Sequence, residues 1–356
     1  MINFILNDSA EGGKFEARYG EFYEGDGQQT TISGNVGMPF PFTGSGFTNL
    51  SFEYGNTDPT DRSIQRSDAQ ALIDGGDTFV KNPAQVWGQP ETKDDLKLIV
   101  YLGVDINDRM NFYGFGNYQS KEVEGGFFYR NPDTRSGVFA NGDQRLVGDL
   151  DTTNNLDCPN VAVGDAAGLA LVMDNSTAIG AECFVFNEMF PGGFSPRFGG
   201  ELTDYSAVAG LRGEFASGLV WDVSTSIGYN DVDFFIRNTV NASLGPDTPT
   251  EFDPGAYTQR EQNFNIDLAY PVGISWMSSD LSIAGGFEYR EEEFEITRGD
   301  LVSYEIGSPA RRDAALSVGP EVLPGLQSLA RSTGEKPASL HSTRIRRFPP
   351  KLPNFV

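Results

Sequence analysis

The sequence predicts an all-β protein: an antiparallel meander of about nine long strands, forming a partial transmembrane β-barrel with long extracellular loops. Two observations predict this class. Apolar and polar residues alternate with a period of two over many separate stretches, which is typical of strands with one apolar face. The links between these stretches alternate between short and long. In addition, no run of about eighteen apolar residues is present that would span a bilayer as a helix.

The clearest strand lies within residues 218–235, GLVWDVSTSIGYNDVDFF. Its apolar set is Leu219, Trp221, Val223, Thr225, Ile227 and Tyr229, and its polar set includes Asp222, Ser224 and Ser226. A strand of about eleven residues is roughly twice the usual length in a soluble domain and is long enough to cross a bilayer at a tilt. We expect the apolar row to face lipid and the polar row to face a wet lumen. A half-buried strand of a soluble β-sandwich is the alternative.

The same alternation recurs along the chain in order. It predicts strands within residues 14–23, 31–38, 49–55, 95–104, 111–119, 207–215, 218–235, 263–272 and 281–290. In residues 111–119 the aromatic side chains fall on both faces, so the sequence leaves the inward face of that strand unassigned. Two short helices are predicted in the long links, one with Ser67 as its N-cap and one with Asp165.

The links follow a strict order after the first hairpin. Short links lie at residues 39–46, 105–109, 216–218 and 272–280, and long links at residues 56–93, 120–204 and 237–258. Alternate links of an antiparallel meander lie at the same end of the sheet. One end therefore carries tight turns and the other carries long loops, which is typical of outer-membrane barrels and has no counterpart in soluble sandwiches.

Composition excludes several classes of function. A formal net charge of −24 argues against nucleic-acid binding, which needs clustered basic residues. The chain has no P-loop, dinucleotide fingerprint or nucleophile elbow, so we expect no enzyme, no catalytic residue and no cofactor. The only histidine, His341, is far from both cysteines in the sequence, and no metal site is expected. The N-terminus lacks a signal-peptide pattern, which predicts either a cytosolic protein or an incomplete precursor.

Several segments, in order along some 300 residues, resemble one family. They are INFILND, EFYEGDGQQTTISGNVG, NLSFEYGNTDPTDRSIQRSDAQALI, NPAQVWGQPE, YGFGNYQSKEVEGGFFYRNP, CFVFNEMFPGGFSPRFGG, NTVNASLGPDTPTEFDPGAY and YREEEFEI. From about residue 2 to residue 307 the chain is similar to the barrel of TonB-dependent outer-membrane receptors, in a subgroup with large external loops. None of these segments is a catalytic motif, and their number and order carry the resemblance.

The resemblance implies a location and a set of partners. It implies a bacterial outer-membrane barrel of about 22 strands, filled by a plug domain. Residues 1–13 would be the plug–barrel junction, and residues 1–301 the N-terminal part of the barrel. The partners implied are outer-membrane lipid and, in the full-length receptor, a TonB-type energy-coupling protein and a small-molecule ligand. That ligand would be a scarce nutrient, either siderophore-bound iron or a carbohydrate.

The chain departs from the family pattern in three places. We find no plug, TonB box or signal sequence, only about nine strands, and a tail, residues 302–356, that does not match. In that tail basic residues outnumber acidic ones, so we expect a disordered segment produced by a frame change or a truncated gene. The function expected is that of a receptor fragment that does not transport on its own. The alternative is a secreted or surface β-rich binding protein without transport activity.

Two sets of candidate site residues lie in the longest link. Cys158 and Cys183 are predicted to form a disulfide if the loop faces an oxidising exterior, and would otherwise be two reduced thiols. Within residues 188–200, a ligand-contact surface at the barrel mouth is one interpretation, and packing of the loop on its neighbours is the one we favour. The residues concerned are Phe190, Phe194, Arg197 and Phe198. The acidic residues 148–157 offer calcium ligands, but a solvated loop is favoured there.

Overall fold

The computed structural model of the protein describes residues 6–42, 45–150, 157–276, 279–307 and 343–346, the last of these as backbone only. Nine long strands form a single antiparallel meander in which each strand pairs with the next along the chain. They are β1 (Gly13–Gly20), β2 (Gln29–Pro39), β3 (Phe47–Thr57), β4 (Glu91–Asn107), β5 (Met110–Gly126), β6 (Arg197–Glu214), β7 (Val220–Arg237), β8 (Glu251–Val272) and β9 (Leu281–Arg298). The nine-strand meander predicted from the sequence is confirmed.

The strands are longer than the sequence predicts. Strands β4 to β9 span 17 to 22 residues each. The extra length lies mainly at the long-loop end, where β6, for example, begins at Arg197 instead of near Ala207. Backbone pairing continues there after the regular apolar alternation has stopped. Alternation of apolar and polar residues reports that the two faces of a strand have different surroundings. It does not report where backbone hydrogen bonding ends, so it locates only the middle of each strand.

The pairing register assigns the faces of β5 that the sequence left open. Tyr118 pairs with Leu98 on one side and with Tyr205 on the other, and Tyr205 pairs with Tyr229. Directly paired residues project from the same face of a sheet. Tyr118 therefore belongs to the apolar face, and its neighbour Asn117 belongs to the polar face.

The sheet is open in the part of the chain that the structure describes. Strand β1 is at one edge. At the other edge, the outer half of β9 pairs with a short tenth strand, β10 (Thr343–Arg346), along Glu291–Phe294. No pairing joins β1 to β9 or β10 among the described residues, so the structure contains a sheet and not a closed barrel.

Short helices lie in the long links. They are α1 (Ser67–Asp74), α2 (Ala166–Val172) and α3 (Ala178–Glu182), with 3₁₀ turns at Ala242–Asp247 and Leu301–Ser303. Asp165 caps α2 as predicted, since its carboxylate accepts the backbone N–H of Gly168 at 2.9 Å. The predicted cap of α1 is wrong, because Ser67 is already the first helical residue and Arg66 precedes it without a side-chain capping bond.

The hydrophobic core lies in the links and not on the sheet. Among the described residues, the buried apolar side chains belong to the long links or to the loop-side ends of β7 and β8. One cluster contains Val138, Phe139, Phe184, Phe186, Phe194, Val240 and Ala242, and a second contains Ala69, Val80, Ala84 and Tyr129. We call these packed links the loop layer. It covers one end of the sheet and leaves both faces of the middle of the sheet open.

Residues 302–307, at the start of the predicted tail, pack into the loop layer. Val302 packs against Ile236 and Phe252, and the backbone N–H of Gly307 donates to Ser243 Oγ at 3.2 Å. The folded unit therefore continues past the boundary expected at residue 301. Residues 308–342 and 347–356 of the tail, and residues 1–5 of the predicted junction, lie outside the described residues.

Candidate functional site

One face of the sheet carries a continuous surface of exposed apolar side chains. It runs from Phe15 on β1, which is 70% exposed, to Phe287 on β9, which is 57% exposed. The exposed members between them include Ile32, Val36, Leu50, Phe52, Leu98, Val100, Tyr118, Tyr205, Leu211, Ile227, Phe264, Leu268 and Ile283. No second layer of described residues covers this face. Contiguous apolar surface of this extent is unusual on a soluble monomer and indicates an apolar partner or solvent.

The apolar surface has aromatic residues at both of its ends. On β7 it extends from Trp221 to Tyr229, eight residue steps or about 26 Å at the usual strand rise. At the long-loop end, Tyr205 and Tyr229 stack with their ring centroids 4.7 Å apart. At the short-turn end, Trp221 lies 5.9 Å from Phe215. About nine to eleven apolar-alternating residues on a tilted strand, with an aromatic girdle at each edge, is the pattern of lipid-facing barrel surfaces.

The opposite face is polar and cross-linked by side-chain hydrogen bonds. Asn117 and Asn230 both donate to the carboxylate of Asp204, at 3.3 and 3.4 Å. Lys97 pairs with Glu53 at 2.8 Å. Two grooves of about 320 and 330 Å³ lie on this face, one across β1–β4 and one across β6–β8. The polar face therefore presents hydrogen-bonding groups and two concave surfaces large enough for a small ligand.

The segment before β1 crosses the polar face. Asn7 Nδ2 donates to Asn35 Oδ1 at 3.1 Å, and Asn49 Nδ2 donates to the Ser9 carbonyl at 3.4 Å. The backbone N–H of Gly37 donates to the carbonyl of Gly12 at 2.9 Å. The chain therefore enters the sheet from its polar side, next to the short-turn ends of β2 and β3.

The four residues predicted as a ligand-contact loop do not form one surface. Phe194 is 4% exposed, and Phe190 packs against it with ring centroids 4.5 Å apart, so both belong to the loop layer. Arg197 and Phe198 are the first residues of β6 and project from opposite faces. This arrangement follows from the loop's own packing, which buries its aromatic side chains.

Arg197 belongs to an ionic cluster that the sequence analysis did not find. Glu124, which is 5% exposed, accepts hydrogen bonds from Arg197 Nε and from Arg237 Nη1, the latter at 2.7 Å. Glu91 lies 3.6 Å from Arg197. Three strands that are distant in sequence supply the buried carboxylate and its two arginines. No local motif reports such a cluster.

An aromatic row on the polar face was also missed. Phe198 stacks on Phe234 at 5.5 Å, Phe234 contacts Tyr257 at 5.1 Å, and Tyr257 contacts Phe294 at 5.6 Å. We call these four residues the aromatic row. It crosses β6 to β9 just below the loop layer. Phe234 was visible in NDVDFF near the end of the predicted strand, but it falls on the face of Ser224 and Ser226, where the sequence shows no apolar alternation to signal a row.

The two cysteines form a disulfide inside the loop layer. Cys158 and Cys183 are bonded, with their Cα atoms 5.8 Å apart. Cys183 is 1% exposed and lies in a two-residue ladder, in which Asp149 pairs with Cys183 and Gly148 with Phe184. The bond closes the segment that carries α2 and α3. Residues 151–156, part of the segment considered for calcium, lie outside the described residues.

Reduction of this disulfide is expected to destabilise the loop layer by about 3 kcal/mol, because the bond closes a loop of 25 residues' separation. Mass analysis after alkylation should find no reactive thiol without reductant and two after reduction. Two alkylated cysteines in the untreated protein would contradict the prediction. Cys158→Ser/Cys183→Ser is the matched variant, and its loop-layer amides should exchange faster while those of the strand centres do not.

The pKa values of Asp26 and Tyr129, which lie in the links, are shifted by their immediate surroundings. Asp26, in the link between β1 and β2, accepts a hydrogen bond from Arg62 at 2.6 Å, which lowers the pKa of its carboxyl below the usual value. The stabilisation from the Asp26–Arg62 hydrogen bond is therefore fully present above the ordinary carboxyl pKa. It is lost as the pH falls through the lowered pKa of Asp26. Burial raises the pKa of Tyr129, whose hydroxyl donates to the Gly192 carbonyl at 2.7 Å. Both contacts hold links together.

The described residues contain no group of three or more His, Cys, Asp or Glu side chains placed to hold a metal ion. No helix in the described ranges combines the length and apolar composition needed to cross a membrane. No protein-family model matches the chain, and no curated protein matches it either.

Proposed function

We propose that this chain is part of the barrel wall of a TonB-dependent outer-membrane receptor, which takes up a scarce nutrient by energised transport. In this proposal the apolar face contacts lipid and the polar face lines the lumen. The loop layer then lies outside the cell, above the outer leaflet. The chain acts as a fragment that does not transport alone, and its full receptor binds a small-molecule ligand and a TonB-type coupling protein.

The observation that carries this proposal is the exposed apolar band. Its length along β7, nine residues, fits a strand that crosses a bilayer core at a tilt, and its edges carry Tyr205, Tyr229 and Trp221. Water would have to solvate a row of side chains such as Phe15, Phe287 and Ile283, each more than half exposed. Lipid removes that cost, since apolar area prefers hydrocarbon to water.

Three further observations support it. Long loops and short turns lie at opposite ends of the sheet. Residues 7–12 cross the polar face, which suits a chain that arrives from inside a barrel lumen. The disulfide between Cys158 and Cys183 lies in the loop layer, and such bonds persist in oxidising surroundings outside the cytosol.

The second candidate is a secreted or surface β-rich binding protein without transport. The packed loop layer favours it, because that layer has its own buried core and a disulfide, as secreted domains do. This candidate requires a partner to cover the apolar band, whereas the receptor proposal supplies lipid.

Flotation separates the two candidates. The full chain, refolded in the presence of phosphatidylcholine vesicles, is expected to rise with the vesicles in a density gradient and to stay there in high salt. Without vesicles it should need detergent or urea to remain in solution. A monomer that is soluble without detergent and stays at the bottom of the gradient would overturn the receptor proposal.

The open sheet gives a second expectation. Closed barrels resist sodium dodecyl sulfate until they are boiled, and so change their mobility on gels. The described sheet has unpaired edges, which cost several kcal/mol for each backbone group exposed to lipid. We expect boiled and unboiled samples of this chain to migrate alike. A heat-dependent shift would show that the isolated chain closes, against this expectation.

A further inference from the structure

We propose that the aromatic row and the groove beside it form a binding site for a neutral oligosaccharide. The inference rests on the proposed function, since it names the substrate class of the receptor. Its residues are Phe198, Phe234, Tyr257 and Phe294 in the aromatic row, with Asp204, Asn230, Gln259 and Glu261 in the groove.

The aromatic row presents apolar surface at the edge of a polar groove. Phe294 is 42% exposed and Tyr257 is half-buried, so the β8–β9 end of the row is open. At the other end, Phe198 packs against the buried pair Ile236 and Phe252, which fixes the row to the loop layer. The row is therefore held rigidly at one end and accessible at the other.

Hydrogen-bonding groups lie one step from the open rings. Gln259 pairs directly with Phe294 across β8 and β9, and it lies two residues from Tyr257 on the same face. Asn230 pairs with Gln259, and Asp204 pairs with Asn230, which gives a line of polar side chains across three strands. Two residues along one face span about 7 Å, close to the width of a sugar ring.

The groove that these side chains line has a volume of about 330 Å³. That size lies at the lower end for pockets that bind small molecules, and it suits one or two sugar rings. Gln259 is exposed, so its amide can bond a ligand without first losing a protein contact. A ring resting on Tyr257 or Phe294 would have its hydroxyl edge toward this groove.

The mixed chemistry selects a ligand with one apolar and one polar surface. A wholly apolar ligand would bury the exposed amide of Gln259 without a partner, which costs about 1–3 kcal/mol for an unsatisfied group. A pyranose ring has an apolar face of C–H groups that stacks on aromatic rings, and a rim of hydroxyls that bonds amides and carboxylates. It satisfies both parts of the site.

The charges select a neutral ligand over an anionic one. Asp204 and Glu261 both line the groove. Arg290, on the same face, is held by Glu261 at 2.6 Å. Asp204 accepts hydrogen bonds from the neutral amides of Asn117 and Asn230, so it would repel a negatively charged ferric chelate or an acidic sugar, while a neutral sugar would not be repelled.

Calorimetric titration of the full chain in detergent micelles tests the inference. The probes are maltohexaose, cellohexaose and xylohexaose, with hexagalacturonate as the acidic counterpart and a ferric tricatecholate as the anionic chelate. We expect at least one neutral hexasaccharide to bind, and to bind about tenfold or more tightly than both anionic probes. No binding of any neutral probe, or tighter binding of either anion, would overturn the inference.

Substitutions in the aromatic row and the groove test whether the sugar binds there. Tyr257→Ala and Gln259→Ala are each expected to weaken the neutral sugar about tenfold. Tyr257→Leu keeps an apolar side chain and should lose as much, which separates stacking from misfolding. Phe264→Ala on the lipid face is the control and should bind as the parent does. Unchanged binding in Tyr257→Ala would overturn the site. Flotation of the same variants with vesicles tests the receptor proposal independently. The receptor proposal and the oligosaccharide inference can therefore fail separately.

Discussion

Val223→Arg is expected to weaken membrane insertion of this chain by about 1–2 kcal/mol, because in the receptor proposal it places a charge in the lipid-facing band, between the bilayer midplane and the Trp221 edge. Val223 pairs with Leu211 and Ile266 on the apolar face. On the surface of a soluble protein the same substitution would change stability by about 0.5 kcal/mol or less. The measurement is the urea concentration at which the chain leaves phosphatidylcholine vesicles.

The neighbouring residue provides a matched control. Ser224 projects from the polar face, one residue along the same strand, so Ser224→Arg adds the same charge at nearly the same depth on the face proposed to line the lumen. We expect its effect to be much smaller. Equal effects of the two substitutions would mean that the faces do not differ in solvent, and the membrane assignment would fail with them.

Asn241→Ala is expected to destabilise the loop layer by about 3 kcal/mol. Asn241 is fully buried, and its side-chain amide donates to the carbonyls of Val302 and Glu305 at 2.8 and 3.0 Å. Its Oδ1 accepts the Ser243 hydroxyl at 2.7 Å. Alanine would leave these buried groups without partners, at about 1–3 kcal/mol each where water does not replace them.

Hydrogen exchange followed by mass spectrometry measures this effect. Amides of residues 239–248 and 301–307 are expected to exchange faster in Asn241→Ala, while those in the centre of β7 stay protected. Asn265→Ala, on the polar face of β8, is the control and should change little. If residues 301–307 keep their protection without Asn241, other contacts hold that segment to the loop layer.

The nine strands and the apolar face of β7 could be predicted because both are local properties. Alternation along one strand reports its two environments directly, as Trp221, Val223 and Ile227 show. The segregation of short turns and long loops to opposite ends could also be predicted, because it follows from the order of strands along the chain alone. Whether the apolar face meets lipid remains a proposal that flotation and Val223→Arg test.

The features that the sequence did not predict depend on contacts between distant segments. The face of Tyr118 became clear only from its pairing with Leu98 and Tyr205, because aromatic residues on both sides of β5 hid the alternation. Glu124 meets Arg237 across 113 positions of sequence. The loop layer is built from links without periodicity, so no pattern in it distinguishes a buried Phe194 from an exposed contact residue.

The location of the core reverses the usual tolerance of a protein to substitution. Side chains of the apolar band have no fixed neighbours beyond the sheet, so exchanging Ile227 for leucine, valine or phenylalanine leaves nothing to clash and no void to fill. The links, by contrast, enclose side chains such as Phe139 and Phe186, whose volumes must match their surroundings. A deep mutational scan should therefore find that the apolar band accepts most apolar replacements and rejects polar ones. The packed links should accept few replacements of any kind.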